Sequence, residues 1–168
     1  MVDTSTAGNP HYYASYQLSD GSLINVEVLD TAGQERFRAL NTSYYRNADC
    51  CVLVYDISSK SSFDECNKYY CNKIKEKCQK GIPVILLGNK TDLEAERKVS
   101  LEEASNFALK NNYMHMETSC YYNKNVSSAF ESIIEITNRE MRKGKKKKSN
   151  IKIKKDNVNN QKKASSCC

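Results

Sequence analysis

Histidine is nearly absent from this chain, with His11 and His115 its only two, and tryptophan is missing altogether. The six glycines are scattered (Gly8, Gly21, Gly33, Gly81, Gly88 and Gly144), and none opens the GxxxxGK[ST] loop that cradles a triphosphate. No apolar stretch approaches the roughly 18 residues that a membrane span needs. The N-terminus also lacks a charged-then-apolar leader, so nothing here is expected to span or cross a membrane. Cysteine is plentiful, with eight residues, but no pair has CxxC spacing and no histidine clusters with them. Cys50 and Cys51 on a strand would point to opposite faces, and Cys66, Cys71 and Cys78 fall at helical spacings. Zinc and a disulfide framework are therefore set aside. The expectation is reduced, cytosolic thiols that pack as small hydrophobes.

The 168 residues suffice for one domain with a real core, followed by a tail. The net charge of +6 hides an asymmetry. From Arg142 to Cys168 there are eleven Lys and Arg against one Asp, whereas residues 1–141 carry fifteen basic and nineteen acidic side chains. A mildly acidic body (1–141) thus precedes a basic arm (142–168). The arm is rich in Lys, Asn and Ser, lacks apolar periodicity, and is expected to be disordered. Lys145-Lys146-Lys147-Lys148 alone would suit a nucleic-acid patch, but aromatic interleaving is absent, so no nucleic-acid partner is expected.

Strand patterns alternate with helical ones, which predicts an α/β sheet. Strands are expected over Ile24 to Leu29, Cys50 to Tyr55, Ile82 to Gly88, and the run beginning at Met114. Phe63, Cys66, Tyr70, Ile74 and Cys78 mark one helix. Ser100-Leu101-Glu102-Glu103 reads as a capping box ahead of Ala104, Phe107 and Ala108. A last helix is expected from about Val126 to Met141, with Ala129, Phe130, Ile133, Ile134 and Met141 inward.

Two segments carry chemistry. Asp30-Thr31-Ala32-Gly33-Gln34 follows directly on a strand. There, Asp30 could hold Mg²⁺ through water, Gly33 would let a backbone N–H approach a γ-phosphate, and Gln34 could orient an attacking water. Asn89-Lys90-Thr91-Asp92 closes the apolar run ending at Gly88. The Asp92 carboxylate could accept two parallel bonds from the N1–H and exocyclic amine of guanine, a donor pair adenine lacks. The Lys90 stem could cover the base and Asn89 could tie neighbouring loops. Ser119 is expected to bond to the Asp92 loop, and the Cys120 N–H to meet the guanine carbonyl.

These residues resemble a Ras-superfamily small GTPase of the Rab family. Asp30-Thr31-Ala32-Gly33-Gln34-Glu35-Arg36-Phe37, Tyr44-Tyr45-Arg46-Asn47-Ala48-Asp49, Leu53-Val54-Tyr55-Asp56-Ile57, Asn89-Lys90-Thr91-Asp92, Glu117-Thr118-Ser119 and the terminal Cys167-Cys168 fall in that family's order and spacing. The resemblance implies a P-loop-NTPase-like G domain, with a mostly parallel sheet flanked by helices, that binds GTP or GDP with Mg²⁺. It also implies hydrolysis by water oriented by Gln34. Thr6, in Thr6-Ala7-Gly8, matches the switch threonine that binds the metal, in a register one residue long. Cys120 and Tyr121 stand where the family has Ala-Lys, so a ring replaces the Lys that flanks the base. Leu29 stands where the family has Trp.

In the family a first strand, the phosphate loop and a first helix precede the segment with which this chain begins. The expectation is a piece of a longer protein whose sheet, lacking a central strand, has a gap of roughly two 4.8 Å spacings. Without the loop's N–H groups and Lys, a loss on the order of 10 kcal/mol, or about seven decades of affinity, is expected. As written, the chain should bind GTP poorly or not at all. A nucleotide-independent, membrane-tethered adaptor is the alternative.

Cys167-Cys168 resembles the Rab substrate for double geranylgeranylation. One lipid chain gives marginal binding at about 0.8 kcal/mol per CH₂, and two make a durable anchor, aided by nearby lysines. The implied partners are membranes, Rab effectors, exchange and activating factors and the prenylation machinery. The implied state is a monomer on the cytoplasmic face of intracellular membranes that cycles with the cytosol.

Overall fold

The computed structural model describes residues 11–30 and 42–149, with 42–44 and 144–149 described by their backbone. Thr6, Gly33, Gln34, Cys167 and Cys168 lie outside these residues.

The chain opens with an antiparallel hairpin, β1 (His11–Gln17) and β2 (Leu23–Leu29), in which His11 faces Leu29 and Gln17 faces Leu23. Gly21 makes its turn at φ +83°, a conformation side chains resist. The turn is closed by Leu18 N–H to the Ser22 carbonyl (2.8 Å) and Gly21 N–H to the Leu18 carbonyl (2.9 Å). A short helix, α1 (Thr42–Asn47), leads to the main sheet.

That sheet is parallel, in the order β3 (Cys51–Asp56), β4 (Val84–Asn89) and β5 (Met114–Glu117). Its middle strand reads Val-Ile-Leu-Leu-Gly because both its faces are covered. On one face Leu53, Tyr55, Val84 and Leu86 pack with Phe63, Cys66, Ile74, Ala104 and Ala108. On the other, Ile85 and Leu87 meet Ala129 and Ile133. Cys51 joins the first cluster and Cys50 the second, the opposed orientation that a strand dictates.

Among the described residues the hairpin and the parallel sheet are separate hydrogen-bonded units. Cys51 and Ile57 donate toward β4, so Val54 and Asp56 turn their backbone to the outer edge of β3. Helix side chains serve that edge. The Ser62 hydroxyl accepts from Asp56 N–H at 3.0 Å, and the Cys66 thiol donates to the Val54 carbonyl at 3.4 Å.

The helix expected across Phe63 to Cys78 forms in three parts. These are α2 (Lys60–Glu65), a π-helical turn (Cys66–Tyr70) and α3 (Cys71–Lys77). The π turn inserts one residue, so the buried stripe passes through Cys71 where simple periodicity predicts Tyr70. A 3-10 segment (Thr91–Glu96) precedes α4 (Leu101–Asn111). Ser100 caps α4 by accepting the Glu103 N–H at 3.1 Å, while the Glu103 carboxylate pairs with Lys60.

The last helix, α5 (Val126–Ser149), runs well past the Met141 expected from the apolar pattern, and Met141 itself is exposed. Arginine and lysine are good helix formers, and one glycine costs only about 1 kcal/mol. Polar tertiary bonds extend the helix where apolar ones stop. Arg142 donates to Asp20 at 2.6 Å and Glu135 accepts the Ser19 N–H at 2.6 Å, fastening α5 to the hairpin turn. Among the described residues no helix is long and apolar enough to cross a membrane.

Candidate guanine site

The loops that follow β3, β4 and β5 emerge together, because parallel strands place their C-terminal ends on one side of a sheet. Ligands of open α/β sheets bind there. At the end of β4, Asn89 Oδ1 accepts from Thr118 Oγ1 and from the Cys120 N–H, both at 3.2 Å. Thr118 N–H donates to the Gly88 carbonyl (2.8 Å) and Thr91 N–H to the Thr118 carbonyl (3.1 Å). The loop-tying role expected of Asn89 is what its amide does. The Cys120 N–H, read from sequence as meeting a guanine carbonyl, donates here to Asn89 Oδ1.

Ser119 is fully buried, and its hydroxyl donates to Asp92 Oδ1 at 2.5 Å, as expected. Ser119 Oγ in turn accepts the Tyr122 N–H at 3.2 Å. Asp92 is thus held from one side by a fixed donor, its carboxylate carried on a loop tied twice to the next. Tyr121 (80% exposed) and Tyr122 stand edge to face, 4.9 Å between centroids, at the outer end of this loop.

Lys90 has left-handed backbone geometry (φ 67°), which turns the chain sharply out of β4. Its ammonium reaches Asp56 Oδ2 at the end of β3, 2.7 Å away. Asp56 Oδ1 in turn accepts from the Ser58 N–H (2.8 Å) and hydroxyl (2.7 Å). Burial works to raise the Asp56 pKa, but the Lys90 bond and then the two Ser58 bonds outweigh it and hold the carboxyl below its ordinary range. Lys90 is pushed up by the same contact.

Sequence reasoning missed Arg97. Its guanidinium grips Glu117 at the end of β5 through two bonds, 2.7 and 3.0 Å, and Glu94 through two more, 2.8 and 2.7 Å. It also donates to the Val99 carbonyl at 2.9 Å. Bonds to Glu94 and then Glu117 raise its pKa, keeping it charged. The only sequence signal was a three-residue spacing from Glu94, which identifies a helix pair but not the contact with Glu117. Asn125 completes the frame by donating to the Glu117 carbonyl at 2.9 Å.

Asp30 is exposed, one residue beyond β2. Among the described residues no three His, Cys, Asp or Glu side chains gather as a metal cluster. A single carboxylate with a hydroxyl is nevertheless the kind of sparse, hard-oxygen set that Mg²⁺ takes when water and phosphate fill the rest of its shell.

The Ras family model matches residues 2–139, which takes in every element from β1 to most of α5. This chain is a Rab-family member of the Ras superfamily. It is 37% identical over 161 residues to the GTP-binding protein ypt3 of Schizosaccharomyces pombe, covering 89% of this chain and 75% of that one. To the Ras-related protein Rab-2B of Dictyostelium discoideum it is 41% identical over 143 residues, 80% of this chain and 69% of that one. To Rab-13 of Bos taurus the identity is 43% over 114 residues, 68% of this chain and 56% of the relative. These relatives favour the GTPase reading over the adaptor.

Proposed function

We propose that this Rab chain is a guanine-nucleotide switch of vesicle traffic, its base selected at the Asn89–Ser119 site. The observation that carries this reading is the Ser119–Asp92 bond between two loops pinned by Asn89. It fixes a carboxylate as an acceptor, and an acceptor is what separates guanine from adenine. The Lys90 stem would cover the face of the base, and Tyr121 offers a ring where a base edge would emerge. At the phosphate end, Asp30 and Thr6 would hold Mg²⁺, which neutralises phosphate charge when bound. Gly33 would present its N–H to the γ-phosphate, and Gln34 would orient the water that attacks it. Loss of those contacts on hydrolysis would release the segment from Gln34 to Arg46, the switching step that effectors, exchange factors and activating factors read. The basic arm and Cys167-Cys168, doubly geranylgeranylated, would hold the monomer on the cytoplasmic face of intracellular membranes.

The test is base discrimination. Titrating the chain with GMP and with AMP, followed by amide chemical shifts, should move resonances around Asn89, Asp92 and Cys120 with GMP alone. Asp92→Asn reverses one acceptor into a donor and should turn preference toward xanthosine monophosphate. Equal responses to GMP and AMP would overturn the assignment.

A further inference from the structure

Cys51 and Cys78 stand at the N-terminal end of the parallel strands, the opposite end from the guanine site. Their sulfurs are 3.8 Å apart in thiol–thiol contact. Both are partly buried, whereas Cys66 and Cys71 are fully buried. Cys51 is fixed by its N–H to the Pro83 carbonyl (3.0 Å) and by its register against Val84. Cys78 is the first residue beyond α3, in extended backbone (φ −79°, ψ 163°), so its side chain is not locked in a helical turn. We propose that these two thiols are an oxidation site, closing to a reversible disulfide that joins the start of β3 to the end of α3 when the chain meets a hydroperoxide.

The geometry supplies the pairing. A disulfide requires the sulfurs to approach to about 2.05 Å, a closure of about 1.8 Å that side-chain rotation at the helix end can provide. Cys50 cannot compete, because it faces the α5 side of the sheet. Cys71 is engaged by the Tyr113 hydroxyl (3.3 Å) and the Asn111 amide oxygen (3.4 Å).

The chemistry assigns each thiol a part. Burial raises both pKa values, most strongly that of Cys51, whereas the hydrogen bond from Cys51 eases Cys78 back down. Cys78 is therefore the attacking sulfur. It displaces water from the peroxide: an S–O bond forms, the O–O bond breaks, and the Cys78 proton leaves with the departing hydroxide. The Cys51 sulfur then attacks the Cys78 sulfenic acid, forming the S–S bond and breaking S–O. The Cys51 proton leaves in a second water. Two thiols lose two electrons and one peroxide gains them. With both thiols held up in pKa the reaction is slow, so the exposed Cys120 serves as an internal clock.

The experiment uses the whole chain. It is treated with hydrogen peroxide until well after Cys120 is consumed, alkylated under denaturing conditions and digested with trypsin without reduction. The expected product links residues 47–60, which hold Cys50 and Cys51, to residues 78–80, which hold Cys78. The link should persist in Cys50→Ser, vanish in Cys51→Ala and in Cys78→Ala, and disappear from the wild type on dithiothreitol treatment. The oxidised wild type should also melt at a higher temperature than the reduced form. Full alkylation of Cys78 after Cys120 is spent, over-oxidation of Cys78 without a link, or a link that survives Cys51→Ala would each overturn the proposal. None of these readouts depends on nucleotide binding.

Discussion

Replacing Gly88 by alanine places a methyl group where β4 has no room. A Cβ there would lie 2.6 Å from the Tyr55 hydroxyl oxygen, 2.8 Å from Tyr55 Cζ and 3.3 Å from Ile57 Cγ2. Relief requires Tyr55 to retreat by roughly 0.7 Å toward ordinary carbon contact near 3.5 Å. Its ring is fully buried, set edge to face against Phe63 at 5.1 Å and stacked on His115, to which its hydroxyl bonds at 3.2 Å. Overpacking of this kind costs about 1–3 kcal/mol, and the entropy removed from the unfolded chain returns about 0.4–1 kcal/mol, so the net loss should be about 1–2 kcal/mol. With a urea slope of about 1–3 kcal/mol per molar, the midpoint should fall by roughly 0.5–1 M. Tyr55→Phe removes the nearest atom, so Gly88→Ala should cost less in that background, a positive coupling in a double-mutant cycle. An unchanged midpoint for Gly88→Ala, or strict additivity with Tyr55→Phe, would refute the reasoning.

Arg97→Ala should destabilise the chain by about 3 kcal/mol, because it strands the Glu117 carboxylate, itself only 19% exposed, at the end of β5; equilibrium unfolding in urea measures it. Ser119→Ala should lower GMP affinity roughly tenfold or more while leaving the weak AMP response untouched, read by the same shift titration, since it removes one charge-assisted bond to Asp92. Burial between Tyr55 and Ser105 lowers the His115 pKa below 6.5. The folded state therefore binds a proton less readily than the unfolded one, and this contribution is complete above pH 6.5 and lost as pH falls through the depressed value. The difference in urea midpoint between wild type and His115→Gln should shrink from pH 7.5 to pH 5.5. Asp20 is lowered to about 2, first by the Ser22 hydroxyl and N–H and then by Arg142. Its contribution is present above pH 3.8 and lost toward 2, so Asp20→Asn should flatten that acid limb of the stability profile.

Much of the guanine site was legible because its parts are contiguous. Asn89-Lys90-Thr91-Asp92 and Thr118-Ser119 each follow a strand whose apolar run announces it, and parallel pairing brings their ends together without further information. The partners of those residues were less legible. That Lys90 would reach Asp56, or that Arg97 would grip Glu117, depends on which loops meet in space, and a run of charges in sequence does not encode a partner twenty or more residues away. The π turn escaped for another reason. Periodicity counts residues, and one added residue inside a continuous helix leaves no mark except that Cys71 is buried where Tyr70 was expected. The reach of α5 was underestimated because the apolar pattern offers nothing beyond Met141, whereas Arg142 carries the helix on by a charge contact with the hairpin.

That contact has a mechanical consequence. A pull applied to the arm beyond Ser149 travels down α5 and enters the body at two places: the hairpin turn, through Arg142 with Asp20 and Glu135 with Ser19, and the flank of β4, through Ala129 and Ile133. The Ser119 loop joins α5 at Val126, behind the Ser119–Lys124 bridge and the Asn125 bond to the Glu117 carbonyl. A load on the arm would therefore meet the hairpin and the flank of β4 before it reached the loop that would read the base.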